Sequence, residues 1–355
     1  MADKVLMKGN EAIAEAAIMA GCRHYFGYPI TPQTEIAAYM AKRMPKIGGV
    51  FLQAESEVAA INMVYGVSST GKRVMTSSSS PGISLKSEGI SYMAGADLPA
   101  LIVNVQRGGP GLGGIQPSQS DYFQATRGSG HGDYHLIVLA PSSVQEMADL
   151  TIKGFDLGDK YRMPVMLLAD GTMGQMMEPV SFDNVETKEY DKSWAVTGTK
   201  CERKHNIINS LYLKPEELEK ENFARFERYK EIEANEAMYQ EYKMDDAEIC
   251  VVAFGIAARV AQNAIDAARE EGIKVGMIRP ITLWPFPKAP MLAATDKVHT
   301  FISVEMSMGQ MIEDIKLATE CRRPVELCNR VGGMIPTPDE VLDSIRAAAQ
   351  KGGNK

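Results

Sequence analysis

Three short elements in the first 110 residues carry side chains suited to chemistry, and each follows an apolar, strand-like run. They are Tyr28-Pro29-Ile30-Thr31-Pro32, Gln53-Ala54-Glu55-Ser56-Glu57 and Gln106-Arg107-Gly108-Gly109-Pro110. In an open parallel sheet the C-terminal strand ends face a common crevice, where ligands bind. A hydroxyl, a carboxylate and a guanidinium distant in sequence would converge there. Such a set suits a site that grips an anionic oxo acid and does acid–base work on a cofactor.

Each residue also has a purely structural reading. Arg107 ends the most apolar strand and opens a glycine-rich loop; its fork can hold a substrate carboxylate in bidentate fashion or close a salt bridge at the strand end. Glu57 lies in a first helical turn, where the helix dipole alone favours a carboxylate. The functional alternative is a buried carboxyl with a raised pKa that protonates a ring nitrogen, and Glu55 competes for that role. Thr31 can be a plain N-cap hydroxyl. His131 and His135 flank Gly132-Asp133-Tyr134 with no third ligand in sequence reach, which speaks against a metal site.

The elements that must position these residues alternate. Asn10 is a candidate N-cap for a helix with Ile13, Ala16, Ala17 and Ala20 on one face, stopped at Gly21. A strand from Arg23 to Tyr28 leads to Thr31-Pro32, read as N-cap and N1 of a helix running to about Met44. Val50 to Gln53 is the next strand, and Ser56 caps a helix with Val58, Ile61, Val64 and Tyr65 inward. Strands follow at Val74 to Thr76, Pro99 to Val105, Leu136 to Ala140 and Pro164 to Ala169. Helices are expected before Gly95 and from about Ser143 to Gly158. This βαβ alternation with continuously apolar strands predicts an α/β fold with a doubly wound parallel sheet. Residues 107–134 form a long Gly-, Gln- and Ser-rich loop, a length usually tied to function.

Residues 179–246 are charged and read as a solvated helical connector. From 247 to 350 a second, smaller α/β unit is expected, with strands at Ile249 to Phe254, Lys274 to Arg279, Val298 to Val304 and Pro324 to Leu327, and a helix at Ile256 to Glu271. A chain of 355 residues exceeds one typical core, consistent with such a division at 1–178, 179–246 and 247–350.

Composition excludes several classes. The net charge of −7 and the lack of a basic stripe argue against nucleic-acid binding. No apolar run is long enough for a membrane span and no signal-peptide core opens the chain, so a cytoplasmic location is the default. The five cysteines are scattered, with no C-x-x-C pair, as expected of reduced thiols and not of an iron–sulfur ligand set. The 22 methionines read as core filling or as an adaptable subunit interface. The serine run before Gly82 lacks G-x-x-x-x-G-K-[ST], and the first strand lacks G-x-G-x-x-G, so a nucleotide site has no support.

Taken in order, Gly27-Tyr28-Pro29-Ile30-Thr31-Pro32, Glu55-Ser56-Glu57-Val58-Ala59-Ala60, Thr76 to Leu85 and Gln106-Arg107-Gly108-Gly109-Pro110 resemble the subunit of 2-oxoacid:ferredoxin oxidoreductases that carries the pyrimidine-binding domain for thiamine diphosphate. Val251-Val252-Ala253-Phe254-Gly255 and Arg279-Pro280 through Trp284-Pro285-Phe286-Pro287 resemble the transketolase C-terminal-like domain that follows it. The resemblance implies that Glu57 hydrogen-bonds the aminopyrimidine ring and governs its tautomer, while Arg107 and Thr31 hold the oxo acid. It implies oxidative decarboxylation to an acyl-CoA with electrons passing to ferredoxin. The family's Gly-Asp-Gly diphosphate and magnesium motif is missing: Ala169 precedes Asp170-Gly171, and Tyr134 follows Gly132-Asp133. Diphosphate, Mg²⁺ and the iron–sulfur clusters are therefore expected on partner subunits, and this chain alone should be inactive. The pattern is nearest to the 3-methyl-2-oxobutanoate (branched-chain) enzyme. Alternatives are the 2-oxoglutarate enzyme, a thiamine-dependent transketolase-like enzyme without ferredoxin, and a non-catalytic scaffold with this fold.

Overall fold

The computed structural model describes residues 4–183, 185–186 and 188–352. Its strands, in chain order, are β1 (Val5–Lys8), β2 (His24–Gly27), β3 (Val50–Gln53), β4 (Val74–Ser78), β5 (Ala100–Gln106), β6 (Ile137–Leu139), β7 (Pro164–Asp170), β8 (Met177–Val180), β9 (Tyr239–Tyr242), β10 (Ile249–Ala253), β11 (Val275–Pro280), β12 (Thr282–Trp284), β13 (Thr300–Glu305) and β14 (Val325–Asn329). Helices separate most of them, and the strands form three sheets.

The large sheet has the order β12-β6-β7-β5-β4-β2-β3, parallel throughout except at β12. From β2 the chain steps outward to β3 and then returns to the other side of β2 at β4. That reversal creates a crevice at the carboxyl ends of the strands. β4, β5 and β7 are buried along their whole length, as continuously apolar strands covered on both faces must be.

A second sheet, β14-β13-β10-β11-β9, is parallel apart from the edge strand β9. Its helices Gly255–Glu270 and Pro338–Gly352 pack their alanine-rich faces on one core with Val251, Ile302 and Val304. The antiparallel pair β1–β8 forms a third, small sheet.

Two features cross the expected divisions. β12 comes from the second half of the chain yet pairs with β6 at the edge of the first sheet. Within 179–246 the helix Pro215–Asn235 is mostly exposed, but Arg225, Tyr229 and Ile232 are buried. Tyr229 joins His135 and Trp284 in an aromatic cluster, His135 stacking on Trp284 with centroids 4.6 Å apart. Burial holds the His135 imidazole below its usual pKa. No helix among the described residues is long and apolar enough to cross a membrane.

Candidate active site

The helix Glu57–Ser69 starts where β3 ends, and Ser56 caps it, its Oγ accepting a hydrogen bond from the Ala59 amide at 3.2 Å. Its inward face is Glu57, Ala60, Ile61, Val64 and Ser68. Val58, expected inside, is exposed, because spacing 57–61–64 puts Glu57 at the head of the buried stripe. Glu57 is 5% exposed whereas Glu55 lies on the surface. Across from Glu57 runs the helix Pro81–Gly95. A Cβ at Gly82 would sit 2.8 Å from Glu57 Oε1 and collide with Ser78 Oγ, so only glycine lets the carboxyl and that hydroxyl face each other there.

Arg107 follows β5 and is 7% exposed. Among the described residues it meets no carboxylate. Its Nη1 donates to the Thr31 carbonyl and its Nη2 to the Leu112 carbonyl, both at 3.0 Å, while Nε is buried without a partner. The salt-bridge reading is therefore not what the geometry shows. A buried guanidinium satisfied only by neutral carbonyls keeps a full positive charge available to an anion.

Thr31 is exposed, and the helix after it begins at Thr34 with Gln33 at the N-cap position. The expected N-cap at Thr31 with Pro32 at N1 does not form. Tertiary partners hold the two carbonyls instead: Arg107 takes that of Thr31, and the Asn10 amide takes that of Pro32 at 2.9 Å. Asn10 itself is not a cap; it is fully buried inside the helix Gly9–Met19 and also donates to Glu35. The strand ends thus bring Thr31 and Arg107 into direct contact, while Glu57 heads the helix that follows β3.

At the carboxyl end of β4 the hydroxyls of Thr76, Ser78 and Ser79 are buried without hydrogen-bond partners. Unpaired buried polar atoms are costly and mark places where a ligand or water completes the network. Ser80 is satisfied: its Oγ donates to Asp121 at 2.6 Å and accepts from the Arg107 amide at 3.0 Å, so the serine run and the arginine loop are stitched together. Burial raises the pKa of the Asp121 carboxyl, opposed by the Ser80 and Asn104 hydrogen bonds.

A cavity of about 640 Å³ opens beside this network, lined by Ser80, Gly108, Gly109, Asp121, Met306 and Ser307 among others. It lies between the two large sheets because the 107–134 loop docks on the second one. Gln119 exchanges backbone and side-chain hydrogen bonds with Met306, and Tyr122 donates to Asp314 at 2.6 Å. Arg127 pairs with Asp314 at 2.8 Å, so this cation is engaged in the same contact. Asp170, at the end of β7, caps the short helix after it, accepting from the Thr172 and Met173 amides at 2.9 and 3.0 Å. Burial pushes its carboxyl up to about 6.

Residues 15–249 match the family profile described as pyruvate flavodoxin/ferredoxin oxidoreductase, thiamine diphosphate-binding, and residues 247–341 match pyruvate:ferredoxin oxidoreductase core domain II. This chain belongs to the 2-oxoacid:ferredoxin oxidoreductase family. Members similar to this subunit include the ketoisovalerate oxidoreductase subunit VorB of Methanothermobacter marburgensis, 54% identical with 97% of each chain covered. The VorB of Methanothermobacter thermautotrophicus is 55% identical over the same share of both. The 2-oxoglutarate synthase subunit KorA of that organism is 35% identical, covering 97% of this chain and 99% of its own. Among solved structures, 2-oxoglutarate:ferredoxin oxidoreductase from Magnetococcus marinus superposes with a TM-score of 0.89 at 28% identity. The alignment takes in 98% of this oxidoreductase subunit and 66% of that longer chain. A split-gene transketolase shares the fold, with a TM-score of 0.62 at 13% identity. The family's doubly wound sheet and its smaller second unit are those described above.

Two buried charged residues escape a linear reading. Lys86 is fully buried on the helix Pro81–Gly95, one turn after Gly82. Its signal was present in the spacing of Gly82, Lys86 and Gly89, which places all three on one helical face. Glu305, the last residue of β13, is 1% exposed and accepts hydrogen bonds from the Gln310, Met311 and Ile312 amides at 2.8–3.0 Å.

Proposed function

We propose that this chain is the thiamine-pyrimidine-binding subunit of a complex that oxidatively decarboxylates branched-chain 2-oxo acids, 3-methyl-2-oxobutanoate foremost. The products would be CO2 and the acyl-CoA, with the two electrons reducing ferredoxin. The observation that carries the substrate is the gap in identity: 54–55% to subunits named for ketoisovalerate against 35–37% to those named for 2-oxoglutarate, at like coverage. Geometry adds support. A second substrate carboxylate calls for a second cation, and Arg127 is already committed to Asp314.

The residues present fit the cofactor. Glu57 offers a buried carboxyl beside the unpartnered hydroxyl of Ser78. When bound, thiamine diphosphate supplies the electron sink that decarboxylation of a 2-oxo acid requires. Glu57 would hold the proton shared with the pyrimidine nitrogen at its carboxyl oxygen, and its burial keeps water from competing for it. Arg107 would neutralise and orient the substrate carboxylate through its charge and unpaired Nε. Thr31, fixed by the Arg107 bond to its carbonyl, would present its hydroxyl to the same substrate. Asp170 is spent on capping, in keeping with diphosphate and Mg²⁺ being held by a partner subunit and the iron–sulfur centres by another.

The test is an assay of the co-purified complex with ferredoxin and CoA, offering 3-methyl-2-oxobutanoate and 2-oxoglutarate side by side. The branched acid is expected to give the higher kcat/KM; the reverse order would overturn the substrate assignment. The separated chain is expected to show neither decarboxylation nor tight thiamine diphosphate binding. Either activity in it would refute the divided site.

A further inference from the structure

No helix or strand covers residues 28–32, yet the carbonyls of that loop are tied from several directions. Arg107 takes that of Thr31 and Asn10 that of Pro32. Gln33 takes two more: its backbone amide donates to the Ile30 carbonyl at 3.2 Å, and its side-chain Nε2 to the Tyr28 carbonyl, also at 3.2 Å. Gln33 stands at the N-cap position of the following helix but its side chain caps nothing; it is fully buried. A buried primary amide has a donor end and an acceptor end, and the partners dictate which is which. Nε2 must face the Tyr28 carbonyl, which can only accept. Oε1 therefore takes the proton of Ser77 Oγ, 2.5 Å away. That spends the single Ser77 proton, so the Tyr25 phenol, 2.7 Å from the same Oγ, donates to it. The result is a one-way chain of donors from Tyr25 on β2 through Ser77 on β4 and Gln33 to the carbonyl that opens the loop.

We propose that Gln33 is a positioning residue for the oxo-acid site. Its amide fixes the 28–32 loop, hence Thr31, and through the Thr31 carbonyl the Arg107 guanidinium, without touching the substrate. The inference rests on the substrate roles given to Thr31 and Arg107 above. The chain behind Gln33 is firmly held. Tyr25 and Ser77 are fully buried, and the Tyr25 ring stacks on Phe51 with centroids 5.5 Å apart. A Cβ at Gly27 would lie 2.5 Å from Tyr25 Oη, so glycine at the end of β2 leaves the room the phenol needs. Lys86 Nζ holds the Ser77 carbonyl at 3.0 Å. Hydrogen bonds in such a dry setting strengthen one another and fix one geometry. An amide serving only its own helix would have no need of them.

The experiment uses the assembled complex, assayed with 3-methyl-2-oxobutanoate, CoA and ferredoxin. Gln33→Met keeps the length of the side chain and removes both of its hydrogen bonds. Gln33→Glu keeps the acceptor for Ser77 and removes the donor to Tyr28. Both are expected to raise KM for the oxo acid about 5–20-fold, the worth of one or two buried neutral hydrogen bonds. The KM for CoA and kcat should change by less than ~2-fold, the pattern of lost substrate binding alone. A merely structural residue would lower the amount of active complex, and so kcat, and leave both KM values where they are. Ser77→Ala should raise the same KM, and combining it with Gln33→Met should add little, because the chain is already broken. An unchanged KM for the oxo acid in Gln33→Met, or an equal rise in both KM values, overturns the proposal. Should the Gln33 variants fail to assemble, Ser77→Ala decides in the same way. Thr31→Val and Arg107→Ala separate this inference from the reading beneath it. If both keep the parental KM for the oxo acid, the substrate site itself is wrong; if they raise it while Gln33→Met does not, only the Gln33 inference fails.

Discussion

Two glutamates of this subunit are buried between a parallel strand and the helix that follows it, and their surroundings are opposite. Glu305 is surrounded by donors: three backbone amides and the hydroxyls of Ser303 and Ser307 all point at its oxygens. Glu57 faces a glycine and an unpaired serine hydroxyl. The arginines repeat the contrast. Arg73 is clasped by Asp156 and Asp159, and Arg279 grips Glu146 with two nitrogens, whereas Arg107 has only carbonyls. A buried charge that the protein itself satisfies builds the fold; one left open is, on the function proposed above, kept for substrate or cofactor.

That contrast can be broken by substitution. Glu57→Gln should leave unfolding by denaturant within ~1 kcal/mol of the parent, yet lower turnover of the complex ~10²–10⁴-fold, the usual worth of a general acid–base group. A variant retaining half its rate would remove Glu57 from the site. Glu305→Ala should do the converse, destabilising the chain by about 3 kcal/mol or more as buried amides lose a charged acceptor. An unchanged denaturation midpoint would refute it. Arg107→Ala should raise KM for the oxo acid ~10–100-fold, the worth of a charge-assisted hydrogen bond or two, with a smaller effect on kcat. Arg73→Ala, with the same charge change, should weaken the fold and leave KM alone. The smallest effect is expected at Arg127→Ala, which should cost ~0.5–1 kcal/mol of stability, because the pair with Asp314 is partly exposed. It should leave the preference between 3-methyl-2-oxobutanoate and 2-oxoglutarate unaltered; a gain for either acid would place Arg127 in the substrate pocket.

Much of this was legible along the chain, and the reasons are local. β5 and β7 are uninterrupted apolar runs, β-rich and bounded by polar turns, so their existence and parallel burial follow from sequence alone. Ser56 announced its helix for the same reason. Elements whose cause lies far away were harder to see. β9 is a polar edge strand within charged sequence, and β12 exists because β6 lies open beside it. Asn10 has the composition of a cap but serves Pro32 and Glu35, 22 and 25 residues on. The proposed site residues Thr31, Glu57 and Arg107 were singled out by their positions after strands. The burial of Glu57 over Glu55 and the engagement of Arg127 needed the tertiary structure.

The strand exchanged between halves has a practical meaning for anyone dividing the gene. A fragment ending near residue 246 would keep Arg107 and the other strands of the large sheet but shed the short ribbon Thr282–Trp284. The outer rim of Ile137–Leu139 would then show bare amides and carbonyls to solvent, a sticky border that invites self-association. Such a truncated protein should be judged by its solubility before any loss of turnover is blamed on its catalytic groups.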